Sequence, residues 1–191
     1  MLRFLLAAAT LLIFCNANAD WTLSNEKSLV SFISVKKGDV AEIHYFRQLE
    51  GGVDSDGRVT LSIELASVDT AVEIRDERMR ELLFETDVFP TATLSTRVDI
   101  GKLNALEPGA TAIESIKGEL ELHGQKQELQ TDLIFARLDE TRILVASYKP
   151  MVIDAGKYAL VEGINKLREI AGLPSISNAV PVSLVLTFQS Q

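Results

Sequence analysis

Residues 67–90 read SVDTAVEIRDERMRELLFETDVFP, and this segment decides how the rest of the chain is interpreted. It is dense in charge and interrupts a sequence that otherwise alternates between polar and apolar residues. Met79, Leu82 and Leu83 have the i, i+3, i+4 spacing of a narrow apolar stripe, which predicts one short helix packed beside a sheet. Pro90 ends any helix and favours an extended conformation at Phe89, so we expect the chain to re-enter the sheet there.

The segments around this helix have the period-two pattern of half-buried antiparallel strands. Between Val59 and Leu65 the odd-numbered positions are apolar and the even-numbered positions are polar. The same reading of the whole chain predicts eight strands, at residues 28–35, 41–51, 58–66, 92–100, 116–122, 129–137, 142–153 and 180–188.

Short turns join neighbouring strands, as at residues 54–57 and at His123-Gly124, where glycine accepts a positive φ at low cost. Such links favour an antiparallel meander, and eight strands are about the number that closes around one small ligand. On pattern alone, a β-sandwich competes with a closed barrel.

The spacing of apolar residues over 158–171 predicts a second helix. Leu160, Ile164 and Leu167 share one face, and a glycine and a proline follow its end as a stop. We expect this helix to cover one opening of a barrel. An ordinary amphipathic packing helix is the alternative.

Residues 1–19 have the pattern of a secretory signal peptide. Arg3 precedes an apolar run over residues 4–15, and Ala17 and Ala19 occupy the positions that flank a cleavage site. The run of about a dozen residues is shorter than the roughly 20 that span a membrane as a helix. We therefore expect export to the periplasm, cleavage after Ala19 and one domain over residues 20–191, with no membrane-spanning segment.

The charge of the mature chain argues against a nucleic-acid partner. Removal of Arg3 leaves 18 basic against 27 acidic side chains, and the only cysteine, Cys15, is also removed. Because nucleic-acid binding depends on clustered Lys and Arg at phosphates, we expect no such partner. Without a cysteine, the fold has to rest on its apolar core.

The sequence contains none of the common catalytic motifs, such as G-x-S-x-G, H-E-x-x-H or a phosphate-binding loop. His44 and His123 lie in different strand or turn contexts, and a metal site needs about three or four ligands. We therefore predict no metal, no cofactor and no enzymatic activity, and interpret both histidines as surface or turn residues. A cofactor-free cyclase or isomerase is the catalytic alternative.

The order of motifs along the chain resembles the YceI-like family of bacterial periplasmic lipid-binding proteins. The matching segments, which lie within roughly residues 21–135, are 67–70, Arg75-Asp76, Met79-Arg80, Phe84, 89–93, 116–124, and 28–32 with Phe46 and Gly51. The resemblance implies an all-β, antiparallel, eight-stranded, lipocalin-like barrel with two short helices. It also implies that Arg75 and Asp76 fix the first helix against the strands by hydrogen bonds, direct contact with a ligand being the alternative.

The expected barrel interior is apolar and contains no reactive group. Its predicted lining consists of Phe32, Phe46, Leu65, Phe84, Phe89, Leu94, Leu120, Leu122 and Phe135. The resemblance implies a polyisoprenoid, quinone or fatty-acyl ligand in this interior. The alternative is a structural, interaction or stress-related periplasmic protein whose barrel is filled by side chains.

The chain also departs from the family in two places. Residues 161–169 and 173–178 stand where the family usually has a short link, and His44 stands where the family often has glycine. These departures leave the identity of the ligand open. The sequence does not give the oligomeric state.

Overall fold

The computed structural model describes residues 21–191. The predicted signal peptide, with Ala17 and Ala19, lies outside these residues. The strands are β1 (Trp21–Leu23), β2 (Leu29–Lys36), β3 (Val40–Phe46), β4 (Leu49–Val53), β5 (Arg58–Glu64), β6 (Val68–Asp69), β7 (Thr91–Arg97), β8 (Thr111–Leu122), β9 (Gln125–Arg137), β10 (Arg142–Ser147), β11 (Met151–Asp154) and β12 (Ala179–Ser190). The helices are α1 (Glu73–Arg78), which continues into a π-helical turn (Met79–Leu83), α2 (Ile100–Asn104) and α3 (Val161–Ile170). Short 3₁₀ turns lie at Asn25–Lys27, Leu65–Ser67 and Ala155–Tyr158.

These strands form a closed, antiparallel barrel. One edge of β12 pairs with β1 and β2, and the other edge pairs with β10 and β11. β3 and β4 likewise continue one another, as do β5 and β6, so the sheet has eight positions around the barrel. Because β12 joins the first strands to the last, the sheet has no free edge there, which decides between the barrel and the sandwich. The predicted eight-stranded, lipocalin-like barrel is confirmed.

On β5 and β12, the inward face is the one that the alternation predicts. On β5, Leu61 and Ile63 are buried, and Leu65 follows them into the interior. On β12, Leu184, Leu186 and Phe188 are buried in the same way. These rows belong to one hydrophobic cluster, so residues 21–191 enclose a single core.

Strand ends differ from the prediction where a local hydrogen bond or a proline intervenes. β7 ends at Arg97 instead of continuing to Ile100, because the Asp99 carboxylate accepts a hydrogen bond from the Lys102 amide at 3.1 Å and caps α2. The strand predicted over residues 142–153 is interrupted between β10 and β11, where Pro150 lacks an amide hydrogen.

The predicted helix over residues 158–171 begins three residues later, as α3. Ala159 takes a left-handed φ of 55°, which ends the preceding 3₁₀ turn before α3 starts. α3 packs on the π-helical turn, with Gly163 at the contact. A Cβ atom at Gly163 would lie 2.5 Å from the Leu82 carbonyl oxygen and 2.7 Å from Leu83 Cα, so only glycine permits this approach. In the described part of the chain, every helix is too short or too polar to cross a membrane.

Candidate ligand-binding site

The barrel encloses a cavity of about 360 Å³ between its wall, α1, the π-helical turn and α3. Its opening lies at the start of α1 and the end of α3, because the lining residues Val72 and Ile74 are 44% and 52% exposed and the lining residue Ala171 is also exposed. The opposite end of the barrel contains a second cavity of only about 60 Å³. Both cavities are lined by Leu61, Leu94, Leu129, Met151 and Leu184, which lie at the boundary between them.

The structure brings seven of the nine predicted interior residues together around the large cavity: Phe32, Phe46, Leu65, Phe84, Leu94, Leu120 and Leu122. Three of the aromatic rings form a row in space. The ring centroids of Phe32 and Phe46 are 5.3 Å apart, and those of Phe46 and Phe84 are 5.7 Å apart. Such a surface offers dispersion contacts to an apolar chain and no hydrogen bonds.

The other two predicted residues lie elsewhere. Phe135 is buried in the interior but lines the small cavity at the opposite end. Phe89 lines neither cavity, so its prediction as an interior residue was wrong. It lies before the first residue of β7 and packs against the β8–β9 turn, with its ring 4.4 Å from that of His123 and 3.0 Å from a Cβ placed on Gly124. The strand alternation does not extend to this loop position.

The α3 residues predicted to cover an opening also reach the large cavity. Leu160, Ile164 and Leu167 all line it. α3 is therefore both a packing helix and part of the cavity wall. Its action as a lid remains a prediction.

One wall of the cavity is polar, and sequence reasoning missed it. The inward residues of β2 run Val30, Phe32, Ser34, Lys36, and those of the paired β3 run Phe46, His44, Glu42 toward the same end. Both rows change from apolar to polar as they approach the opening. The signal was present in the sequence, since residues 42 and 44 have the same parity as Phe46 and share its face.

Three charged residues of this wall are joined in one network. The Glu42 Oε2 atom accepts hydrogen bonds from Lys36 Nζ at 2.7 Å and from Arg75 Nη1 at 2.9 Å. The hydrogen bond from Lys36, more than the charge of Arg75, lowers the pKa of Glu42 against the effect of burial. Glu42 is therefore ionised and already paired at neutral pH.

Arg75 and Asp76 connect α1 to the sheet. Arg75 Nη2 donates to the Thr70 carbonyl oxygen at 2.6 Å, and Asp76 accepts from both the amide and the hydroxyl of Thr70. With the Arg75–Glu42 pair, these bonds fix α1 against β3 and against the residues after β6. Arg75 also lines the cavity, so it has the geometry for the ligand contact that was its alternative role.

His44 is 2% exposed, so its interpretation as a surface or turn residue was wrong. The pleat of β3 turns it inward, where its ring lies 5.1 Å from that of Phe32 and its Nε2 lies 2.8 Å from Ser34 Oγ. Burial, followed by the nearby charge of Arg75, lowers the pKa of His44, which keeps the imidazole neutral. Within residues 21–191, neither His44 Nδ1 nor Arg75 Nε has a hydrogen-bond partner, although both atoms are buried.

His123 does lie in a turn, as expected. It follows β8 with a φ of 50°, and its Nε2 lies 2.9 Å from Glu85 Oε2. The two histidines are in separate environments. Among residues 21–191, no three His, Cys, Asp or Glu side chains come together as metal ligands.

Comparison with known proteins places these features in one family. The family model described as YceI-like domain matches residues 21–188. A polyisoprenoid-binding domain from Saccharophagus degradans, implicated in plant cell wall breakdown, superimposes with a TM-score of 0.89 at 37% identity, over 91% of this chain and 99% of that one. No curated protein matches the chain significantly.

Two more distant solved structures share the fold. Burkholderia cenocepacia BcnA has a TM-score of 0.66 at 17% identity, over 86% of this chain and 98% of that one. The YCEI protein of Campylobacter jejuni has a TM-score of 0.57 at 14% identity, over 78% of this chain and 84% of that one. At these identities the likeness concerns the barrel alone.

Proposed function

Because the chain belongs to the YceI-like family, we propose that it is a periplasmic, non-catalytic binding protein that holds a long apolar molecule inside its barrel. The ligand class is a polyisoprenoid, a quinone with an isoprenoid tail or a fatty-acyl compound. The protein stores, transfers or protects this molecule in an aqueous compartment.

The observation that carries the proposal is the open, largely apolar cavity of about 360 Å³. This volume falls within the range of about 300–1,000 Å³ that is typical of small-molecule pockets. Each methylene buried there contributes roughly 0.8 kcal/mol, so two isoprene units offer on the order of 8 kcal/mol before ordering costs. A barrel filled completely by its own side chains would not have this space.

Two further observations support the ligand class and the absence of catalysis. The relative at 37% identity is a polyisoprenoid-binding domain. In the cavity wall, the Glu42 carboxylate is paired with two cations and its pKa is lowered, which makes it a poor general base. Export to the periplasm rests on the signal-peptide pattern of residues 1–19.

Native mass spectrometry of protein purified from a periplasmic extract tests the proposal. The expected species is the chain from Asp20 to Gln191 carrying one apolar molecule, which an organic extract then identifies. A cytoplasmic protein that retains residues 1–19 would contradict the localisation. A chemically altered product released on incubation with that molecule would contradict the non-catalytic role.

A cavity-filling variant provides the matched test of the site. Ala92 is 4% exposed and lines the cavity, so Ala92→Phe should place a ring in the ligand space and weaken binding of a fluorescent fatty-acyl or farnesyl probe by at least about tenfold. Ala41→Phe is the control, because Ala41 is exposed on β3. Equal binding by both variants, with equal thermal midpoints, would show that the probe does not enter the barrel.

A further inference from the structure

We propose that the opening of the barrel docks on the surface of a lipid bilayer, so that the apolar ligand passes between the membrane and the cavity without crossing water. The inference rests on the proposed function and deepens it, because it assigns the partner from which the ligand is loaded or to which it is delivered. The docking surface is the rim of the opening, which we define as residues 36–42, 71–78 and 166–176.

Hydrogen bonds join the rim segments around the opening. Arg75 Nη1 donates to Glu42 Oε2 at 2.9 Å, which ties the start of α1 to β3. The Lys37 amide donates to the Ser175 carbonyl oxygen at 3.1 Å, which ties the turn after β2 to the loop after α3. Each segment also contributes residues to the lining of the large cavity. The rim is therefore one connected surface around the mouth of the cavity.

The rim exposes large apolar side chains to solvent. Residues 21–191 have eleven exposed large apolar side chains, and four of them lie on the rim: Val40, Val72, Ile74 and Ile170. Three smaller apolar residues of the rim are also exposed: Ala71, Ala171 and Pro174. The cavity is itself lined by Val72, Ile74 and Ala171, so one apolar surface runs from the interior of the barrel to the outside. Apolar surface that is exposed in this way marks an interaction site.

The proposed ligand of the cavity determines which partner suits this surface. An apolar chain that leaves the cavity into water exposes its methylene groups, which is unfavourable in proportion to the area exposed. A bilayer removes that penalty, since the chain moves from one apolar environment to another. A protein partner would need an apolar channel of its own in line with the opening. The continuity between the exposed rim and the cavity therefore favours a bilayer.

The charge of the rim differs from that of the rest of the molecule. Residues 21–191 contain 18 basic and 26 acidic side chains, whereas the rim contains six of each. The rest of this part of the chain therefore has a net charge of −8, and the rim has none. A membrane surface with anionic lipids repels the acidic remainder and not the rim, which turns the opening toward the bilayer.

Ligand transfer to vesicles tests the docking in the purified protein. The probe is a fluorescent anthroyloxy fatty acid, and the acceptors are vesicles of phosphatidylethanolamine and phosphatidylglycerol that contain a quencher. Val40→Asn together with Ile170→Asn makes the rim polar at two positions that do not line the cavity. Ile113→Asn together with Leu138→Asn is the matched control. Both control side chains are exposed, and they lie at the end of the barrel where Phe135 lines the small cavity.

We expect the transfer rate of the wild type to rise in proportion to the vesicle concentration, because each transfer requires contact with a bilayer. The rim variant should transfer the probe at least about fivefold more slowly with an unchanged dissociation constant, and the control variant should match the wild type in both. A transfer rate independent of vesicle concentration would mean release through water and would overturn the proposal. Equal slowing in the two variants would also overturn it.

A tryptophan placed on the rim reports docking without a ligand. In Ile170→Trp the new indole lies at the opening, whereas the native Trp21 is buried at the opposite end. Vesicles that contain brominated lipid should quench Ile170→Trp and shift its emission to shorter wavelength, and should leave Ile113→Trp unchanged. Quenching of both variants, or of neither, would contradict docking through the rim. A shift that grows with protein concentration in the absence of vesicles would replace the bilayer with a second copy of the chain.

The two readouts separate this proposal from the proposed function. Quenching at the rim of a protein that binds no probe would refute the ligand and retain the docking, and probe binding without quenching would do the reverse. Because the rim carries no net charge, quenching should persist when the salt concentration is raised to about 0.5 M, where interactions between exposed charges are largely screened. Loss of quenching in salt would assign the docking to basic residues and overturn the role of the apolar rim.

Discussion

The two ends of the barrel have the same architecture but differ in how completely side chains fill them. The end at the opening surrounds a cavity of about 360 Å³, whereas the opposite end leaves about 60 Å³. At the filled end Trp21, Phe135 and Phe188 are each 5% exposed or less. The Arg137 guanidinium lies 5.0 Å from the Trp21 ring centre and donates to the carbonyl oxygens of Asp139 and Glu140. The comparison indicates that one end provides stability and the other provides space for a ligand.

The largest difference between the two ends should appear on truncation of an aromatic side chain. Phe188→Ala at the filled end should lower the free energy of unfolding by about 3–5 kcal/mol, because it opens a new cavity in packed surroundings. Phe32→Ala should cost about half as much, because Phe32 borders the cavity of about 360 Å³ whereas Phe188 borders only the cavity of about 60 Å³. Urea unfolding of both variants measures the two losses. An equal or greater loss for Phe32→Ala would break the comparison.

An intermediate effect is expected where α3 joins the open end. Gly163→Ala would place a methyl group within 3 Å of the backbone at Leu82 and Leu83, so α3 has to move away at a cost of about 1–3 kcal/mol. Because α3 lines the cavity, release of a bound apolar probe should also be faster. Stopped-flow dilution and urea unfolding measure the two effects.

Gly101→Ala is the matched control, since Gly101 lies in α2 and the nearest atom to a new Cβ is a movable carboxylate oxygen of Asp99 at 3.2 Å. It should change stability little. Faster release from Gly163→Ala without loss of stability would show that α3 acts as a lid and that its close approach at Gly163 does not contribute to stability.

The smallest effect is a pH dependence that only the open end should show. Burial lowers the pKa of His44 below its ordinary 6.5, so the unfolded chain binds this proton more readily than the folded chain. The stability that the neutral imidazole provides is complete above pH 6.5 and is lost as the pH falls below it. The charges that act on His44 are those of Arg75, Glu42, Asp76 and Lys36.

Urea unfolding between pH 7.5 and 5 should therefore show a loss of stability in the wild type that His44→Phe lacks. The lowered pKa of Glu42 acts below that group's ordinary 4.5, outside this window. The same pH dependence in His44→Phe would assign the effect to another group and weaken the account of the polar wall.

Much of the fold could be predicted from the sequence, because strand alternation is a local property. The inward row of β5, with Leu61 and Ile63, follows from period two alone, and so do the eight strand positions. The placement of Phe89 could not be predicted in this way, since it lies in a loop where no period fixes the direction of a side chain. The burial of His44 has a different origin, because it follows from the phase of β3 and not from the residue type.

The candidate site was predictable in its apolar part and not in its polar part. Seven of the predicted residues line the cavity, because large apolar residues on the inward face of a barrel are buried in its interior. The network of Lys36, Glu42 and Arg75 joins two strands to a helix some 30 residues away along the chain. No local pattern contains that contact.

The sequence by itself determined a β-domain with inward apolar rows, an acidic chain and a charged helix in the middle. Only the tertiary structure decided that the sheet closes, that one end fills while the other remains open, and that His44 and Arg75 face the remaining space. The physical reason is that alternation fixes the face of each side chain, whereas the volume left between faces depends on how distant side chains pack. A cavity is a property of that packing, and no single strand determines it.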